Sequence, residues 1–110
     1  MTNEYGQILD RNGYAPQIIN QGSGCYLCRR TDRALHRHEV YHGANRAKSK
    51  ALGLWVKVCD LCHAEIHQGG HGTDRELKAE FQAIAAVFYG WSDEEFRNRF
   101  GKSYREANEV

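Results

Sequence analysis

A small α+β domain is predicted by three features of this 110-residue chain. All four cysteines fall into two Cys-x-x-Cys pairs, Cys25/Cys28 and Cys59/Cys62. Two runs rich in β-branched and aromatic residues lie between the pairs, and helical periodicity takes over from the second pair onward. Pairs spaced in this way are metal ligands, so a structural Zn2+ on Cys25, Cys28, Cys59 and Cys62 is expected to staple short strands to a helix, with further helices behind. A chain of this length buries a modest core. Structural zinc contributes about 10–16 kcal/mol in peptide models, so the metal is expected to be required for folding. Redox chemistry is the other use of such pairs, but it needs a single Cys-x-x-Cys in a βαβ context that is missing here.

Residues 1–24 carry Gly6, Asn12-Gly13, Pro16 and Gly22-Ser-Gly24 and read as an irregular lead-in, with Tyr5, Ile8, Tyr14 and Ile18 tucked against the core. Residues 25–70 form the zinc-bound core. Cys25 to Cys28 is a tight knuckle, Thr31-Asp32 turns the chain, and Ala34 to Tyr41 is extended, with His36 and His38 on one strand face. Gly43-Ala-Asn45 reads as a loop, Ser49 to Leu52 as a helical turn stopped by Gly53, and Leu54 to Val58 as a strand. Asp60 to His67 is a helix closed by Gly69-Gly70, and its His63 and His67, four apart, share a face. Residues 71–110 form a helical extension. Thr73-Asp-Arg-Glu76 and Ser92-Asp-Glu-Glu95 are capping boxes, followed by the stripes Leu77, Phe81, Ile84, Phe88 and Phe96, Phe100, which read as core; the chain end is expected to fray.

Formal net charge is +1, which alone predicts no polyanion partner. Its distribution says more. Between Cys25 and Val58 stand Arg29, Arg30, Arg33, Arg37, Arg46, Lys48, Lys50 and Lys57 against Asp32 and Glu39. Such asymmetry fits nucleic-acid binding, and equally a solvated basic face. There is no bilayer-length apolar run and no basic region followed by an apolar one at the start, so a cytoplasmic, reducing setting is expected.

Cys-x-x-Cys, an extended segment with His38-Glu39, a strand into Cys59-x-x-Cys62-His63, and His67 four residues on together resemble the HNH endonuclease family. Arg37, the Gly43-Ala-Asn-Arg46 loop and Gly53-Leu54-Trp55 resemble in particular its small phage and prophage members. The likeness spans about Cys25 to His67 and implies a ββα-metal, treble-clef-like core in which a hairpin and a helix grip a second divalent ion, Mn2+, Ni2+, Zn2+ or Mg2+. About thirty residues separate Cys28 from Cys59, so a zinc uniting the pairs projects the intervening segment beside the helix and brings His38 toward His63 and His67.

The resemblance implies that His38, His63 and His67 hold the second ion, that Glu39 is the base activating water, and that the bound substrate is DNA. The chain departs from the family pattern at Glu39, where histidine is usual, and at Leu54, where asparagine is usual; Asn45 is the available substitute. A second register makes His38 the base and Glu39 or His36 the ligand. Arg37, Arg46, Lys48 and Lys50 are assigned to phosphates, with surface solubility as their alternative. His42 and His71 read as solvated loop histidines and Trp55 as a hairpin or core residue. Two functions follow: a DNA-hydrolysing nuclease, or a zinc module of the same scaffold that binds DNA or a protein partner without turnover.

Overall fold

The computed structural model describes residues 1–69 and 72–105; Gly70, His71 and the expected frayed end from 106 onward lie outside them. Strand β1 (Leu35–Glu39) pairs antiparallel with β2 (Trp55–Cys59), Leu35 opposite Cys59 and Glu39 opposite Trp55. The link between them holds a 3-10 turn, Gly43–Asn45, and helix α1, Arg46–Ala51. Helices α2 (Asp60–Gln68), α3 (Thr73–Tyr89) and α4 (Asp93–Phe100) follow. A two-stranded hairpin is marginal by itself, so both its faces need cover. Helix α2 packs against both strands on one side. On the other, the N-terminal segment lies along β2: Trp55 Nε1 donates to the Ala15 carbonyl (2.8 Å) and Gln21 Nε2 to that of Lys57 (2.8 Å).

Val40, Tyr41, Leu54, Val56, Val58, Ile66, Leu77, Phe81, Ala85, Phe96 and Phe100 form one buried cluster, so the hairpin, α2, α3 and α4 share a core. Two buried polar side chains beside it, Ser49 and Gln82, are paired. Ser49 Oγ donates to the Leu54 carbonyl and accepts from the Tyr41 amide, and Gln82 accepts from the Tyr104 amide while donating to Ser103 Oγ.

Several local expectations are corrected. Helix α1 starts at Arg46, three residues before the expected turn, and Gly72 rather than Thr73 occupies the cap of α3, with no side-chain capping bond. Ser92 does cap α4, accepting from the Glu95 amide at 3.0 Å. Ile8 and Tyr5 are exposed rather than tucked in, whereas Tyr14 is buried. Phe88 is exposed beside Val87, because the buried stripe of α3 runs Leu77, Phe81, Ala85 and leaves Phe88 beyond its edge. Among the described residues, no helix is long and apolar enough to cross a membrane.

Candidate metal centres and the histidine cleft

The hairpin base brings the two cysteine pairs together. The sulfurs of Cys25, Cys28, Cys59 and Cys62 all lie within 4.8 Å of one another, an arrangement that can hold a structural metal such as zinc. Cys28 and Cys59 sulfurs are 3.8 Å apart. Tetrahedral ligands at the usual zinc–sulfur length of about 2.3 Å stand about 3.8 Å apart, which this pair matches. Backbone amides of Cys28 and Cys59 point at Cys25 Sγ, 3.5 and 3.3 Å away. Burial raises the Cys25 thiol, but these amides outweigh it and bring it down to about 6, the thiolate form a metal needs. Burial first, and then the neighbouring sulfurs, push the Cys62 thiol up; a cluster of sulfurs does not all ionise without a cation among them. Arg33 clamps Asp60, the first residue of α2, through two 2.6 Å bonds and ties the start of the hairpin to that helix.

The second cluster sits at the other end of the hairpin. His38, on the β1 face that looks toward α2, meets His63 and His67 at ring-centroid distances of 5.4 and 5.5 Å. One helical turn sets His63 and His67 side by side, Nε2 to Nε2 at 3.0 Å. Ligand nitrogens of all three lie within 4.8 Å of one another and can converge on one ion. Tetrahedral nitrogens around zinc stand about 3.3 Å apart, close to the spacing of the α2 pair. His38 is 2% exposed, and its Nε2 is the buried side-chain nitrogen or oxygen that lacks a hydrogen-bond partner among the described residues. Burial, then the neighbouring imidazoles, lowers its pKa to about 4 and keeps the ring neutral with a lone pair available. A buried polar atom without a partner is costly, and a cation facing it removes that cost. The donor set therefore fits a metal. His36 stacks on His63 at 6.0 Å but stands outside the converging group.

A cleft of about 430 Å³ opens over these rings, lined also by Tyr14, Arg37, Glu39, His42 and Arg46. Glu39 follows His38 and so belongs to the opposite strand face, where both its oxygens are engaged. Tyr14 Oη donates to Oε2, and Arg46 Nε to Oε1 at 2.9 Å. Burial and then Glu39 raise the Tyr14 pKa above its ordinary value, so the phenol remains a donor. Of the other expected residues, Arg37 reaches the cleft and pairs with Asp10 at 2.9 Å. Asn45 does not: its amide donates to the Phe100 carbonyl (3.1 Å). Lys48 turns toward the Arg99 carbonyl. Lys50 packs 4.8 Å over the Tyr14 ring. Leu54 is wholly buried in the core.

Two residues that the sequence reading gave no part in the site, His42 as a solvated loop residue and Tyr14 as a core one, line the cleft. His42 borders the cleft, 5.8 and 5.7 Å from His38 and His67 by ring centroids, and donates to Asp74 of α3 at 3.0 Å. Its spacing of four from His38 was the available signal. Tyr14 carried none, because its role arises from a contact across 25 positions. Comparison with family models, curated proteins and solved structures returns no match to this chain.

Proposed function

We propose that this chain is a metal-dependent HNH-type endonuclease with a ββα-metal core that hydrolyses DNA phosphodiester bonds. The observation that carries the reading is a buried His38 with an unpartnered Nε2, whose ring nitrogens converge with those of two further imidazoles within 4.8 Å. His38, His63 and His67 would hold a divalent ion, and three imidazoles suit Mn2+, Ni2+ or Zn2+ better than Mg2+. When bound, such an ion supplies a Lewis acid for charge developing on phosphate and leaving oxygen. Arg37 and Arg46, on the cleft rim, bind phosphate. Glu39 occupies the position from which the family pattern activates water, at the edge of the same cleft.

The test is cleavage of supercoiled plasmid with added Mn2+ or Ni2+. Wild-type protein is expected to cleave, and His38→Ala and His63→Ala to lose at least about a hundredfold in rate, the scale of a lost electrostatic contribution. Equal cleavage by both purified variants would overturn the reading. A second reading, a zinc module that binds DNA or protein without turnover, draws on the double engagement of Glu39 and the burial of Leu54. It predicts one tightly bound zinc per chain and no second exchangeable ion, which elemental analysis with calorimetric titration distinguishes.

A further inference from the structure

Tyr14 arrives from the N-terminal segment and meets three of the four cations expected at phosphates. Its hydroxyl holds Oε2 of Glu39, whose Oε1 in turn takes the Nε–H of Arg46. Its ring carries the Arg37 guanidinium 4.2 Å from the centroid and Lys50 Nζ at 4.8 Å, and the same guanidinium lies 4.9 Å from the Trp55 ring, which meets Tyr14 edge-on. Asp10 closes the assembly. It pairs with Arg37 at 2.9 Å and accepts from the Tyr14 amide at 3.0 Å, so one turn carries both the ring and the counter-charge.

Cations that merely solubilise a surface keep their rotamer freedom. Here the two guanidiniums are already partnered before any ligand arrives, and a guanidinium has five donors, so each retains donors beyond the one its carboxylate engages. Fixing them in advance removes an ordering cost from binding. Both flank the histidine cleft. We infer that Tyr14 is a positioning residue for polynucleotide binding: through Glu39 it sets Arg46, and by its ring face it seats Arg37, so that the two converge on the phosphodiester backbone at the cleft. The inference rests on the proposed DNA substrate but not on its cleavage.

The experiment is anisotropy titration of a labelled DNA duplex of about twenty base pairs over a range of salt, without added divalent ion. Arg37→Ala and Arg46→Ala are each expected to weaken binding and to reduce the magnitude of the log–log salt slope by about 1. Tyr14→Phe keeps the ring and all the cations but releases Glu39; a loss of about three- to tenfold is expected with the slope unchanged. Tyr14→Leu, which also removes the stacking surface, is expected to lose more than Tyr14→Phe. Equal zinc content and far-ultraviolet ellipticity certify the fold of each variant. Wild-type affinity in folded Tyr14→Phe and Tyr14→Leu, or no binding by the wild-type protein, overturns the inference. Plasmid cleavage on the same preparations separates the two ideas. Tyr14-dependent binding without cleavage sinks the nuclease alone, whereas cleavage with binding indifferent to Tyr14 sinks this inference alone.

Discussion

His38 sets use against stability. Its unpartnered buried Nε2 costs about 1–3 kcal/mol in the metal-free chain. Exchanging the ring for one of similar size without polar atoms removes that cost, so His38→Phe is expected to raise the melting temperature of protein without a second ion by a few degrees, by calorimetry. The same variant is expected to show no heat of Mn2+ or Ni2+ binding at the cleft. Acid adds a second signature. The folded pKa of about 4 lies below the ordinary 6.5, so between these values the unfolded chain binds a proton that the folded chain refuses. The protonation penalty of this ring is absent above about pH 6.5, grows as pH drops and is complete below about 4, so stability falls with pH across that window; denaturant unfolding at a series of pH values is expected to show a shallower dependence in His38→Phe than in wild type.

At the scale of elements, backbone geometry decides which glycines matter. Gly53 has φ +75°, and a Cβ there would stand 2.3 Å from the Pro16 carbonyl oxygen, where the N-terminal segment crosses the entry to β2. Gly69 has the same φ with nothing within 4 Å. Gly69→Ala is therefore expected to cost about 1 kcal/mol through conformation alone, and Gly53→Ala more than about 2 kcal/mol because backbone must also move. Ser92→Ala is expected to cost about 1 kcal/mol by removing the cap of α4, and Thr73→Ala much less, since Thr73 caps nothing. Urea unfolding of the four variants ranks these effects. Strands and helices were legible because their signals are local: alternation around His36 and His38, periodicity at Leu77 and Phe81, and glycine after Gln68 and Tyr89. The start of α3 was not, because Thr73-x-x-Glu76 satisfies the capping pattern whether threonine precedes the helix or opens it. Phe88 misled for a related reason, since its spacing marks a helix face but not where the neighbouring layer ends.

At the scale of the molecule, the four-cysteine cluster unites the hairpin base with α2. A strong zinc chelator is expected to cause cooperative loss of far-ultraviolet ellipticity, and Cys25→Ser to prevent stable folding; a chelated chain that keeps its spectrum would show that the core stands without the metal. The cysteine and histidine clusters were legible because metal chemistry favours those residue types at recognisable spacings. Tyr14 and Asp74 were illegible because tyrosine and aspartate serve many purposes, and only the fold brings them 25 and 32 positions to their partners. The N-terminal segment, read as a lead-in, is bound at both ends. Tyr14 holds the cleft, while Glu4 grips Arg99 of α4 through two bonds of 2.9 and 3.0 Å, across 95 positions. Contacts this distant in sequence close only after what lies between them has condensed. On the ribosome, then, Glu4 leaves the tunnel 95 residues ahead of Arg99, and its hold on α4 waits until that helix has emerged.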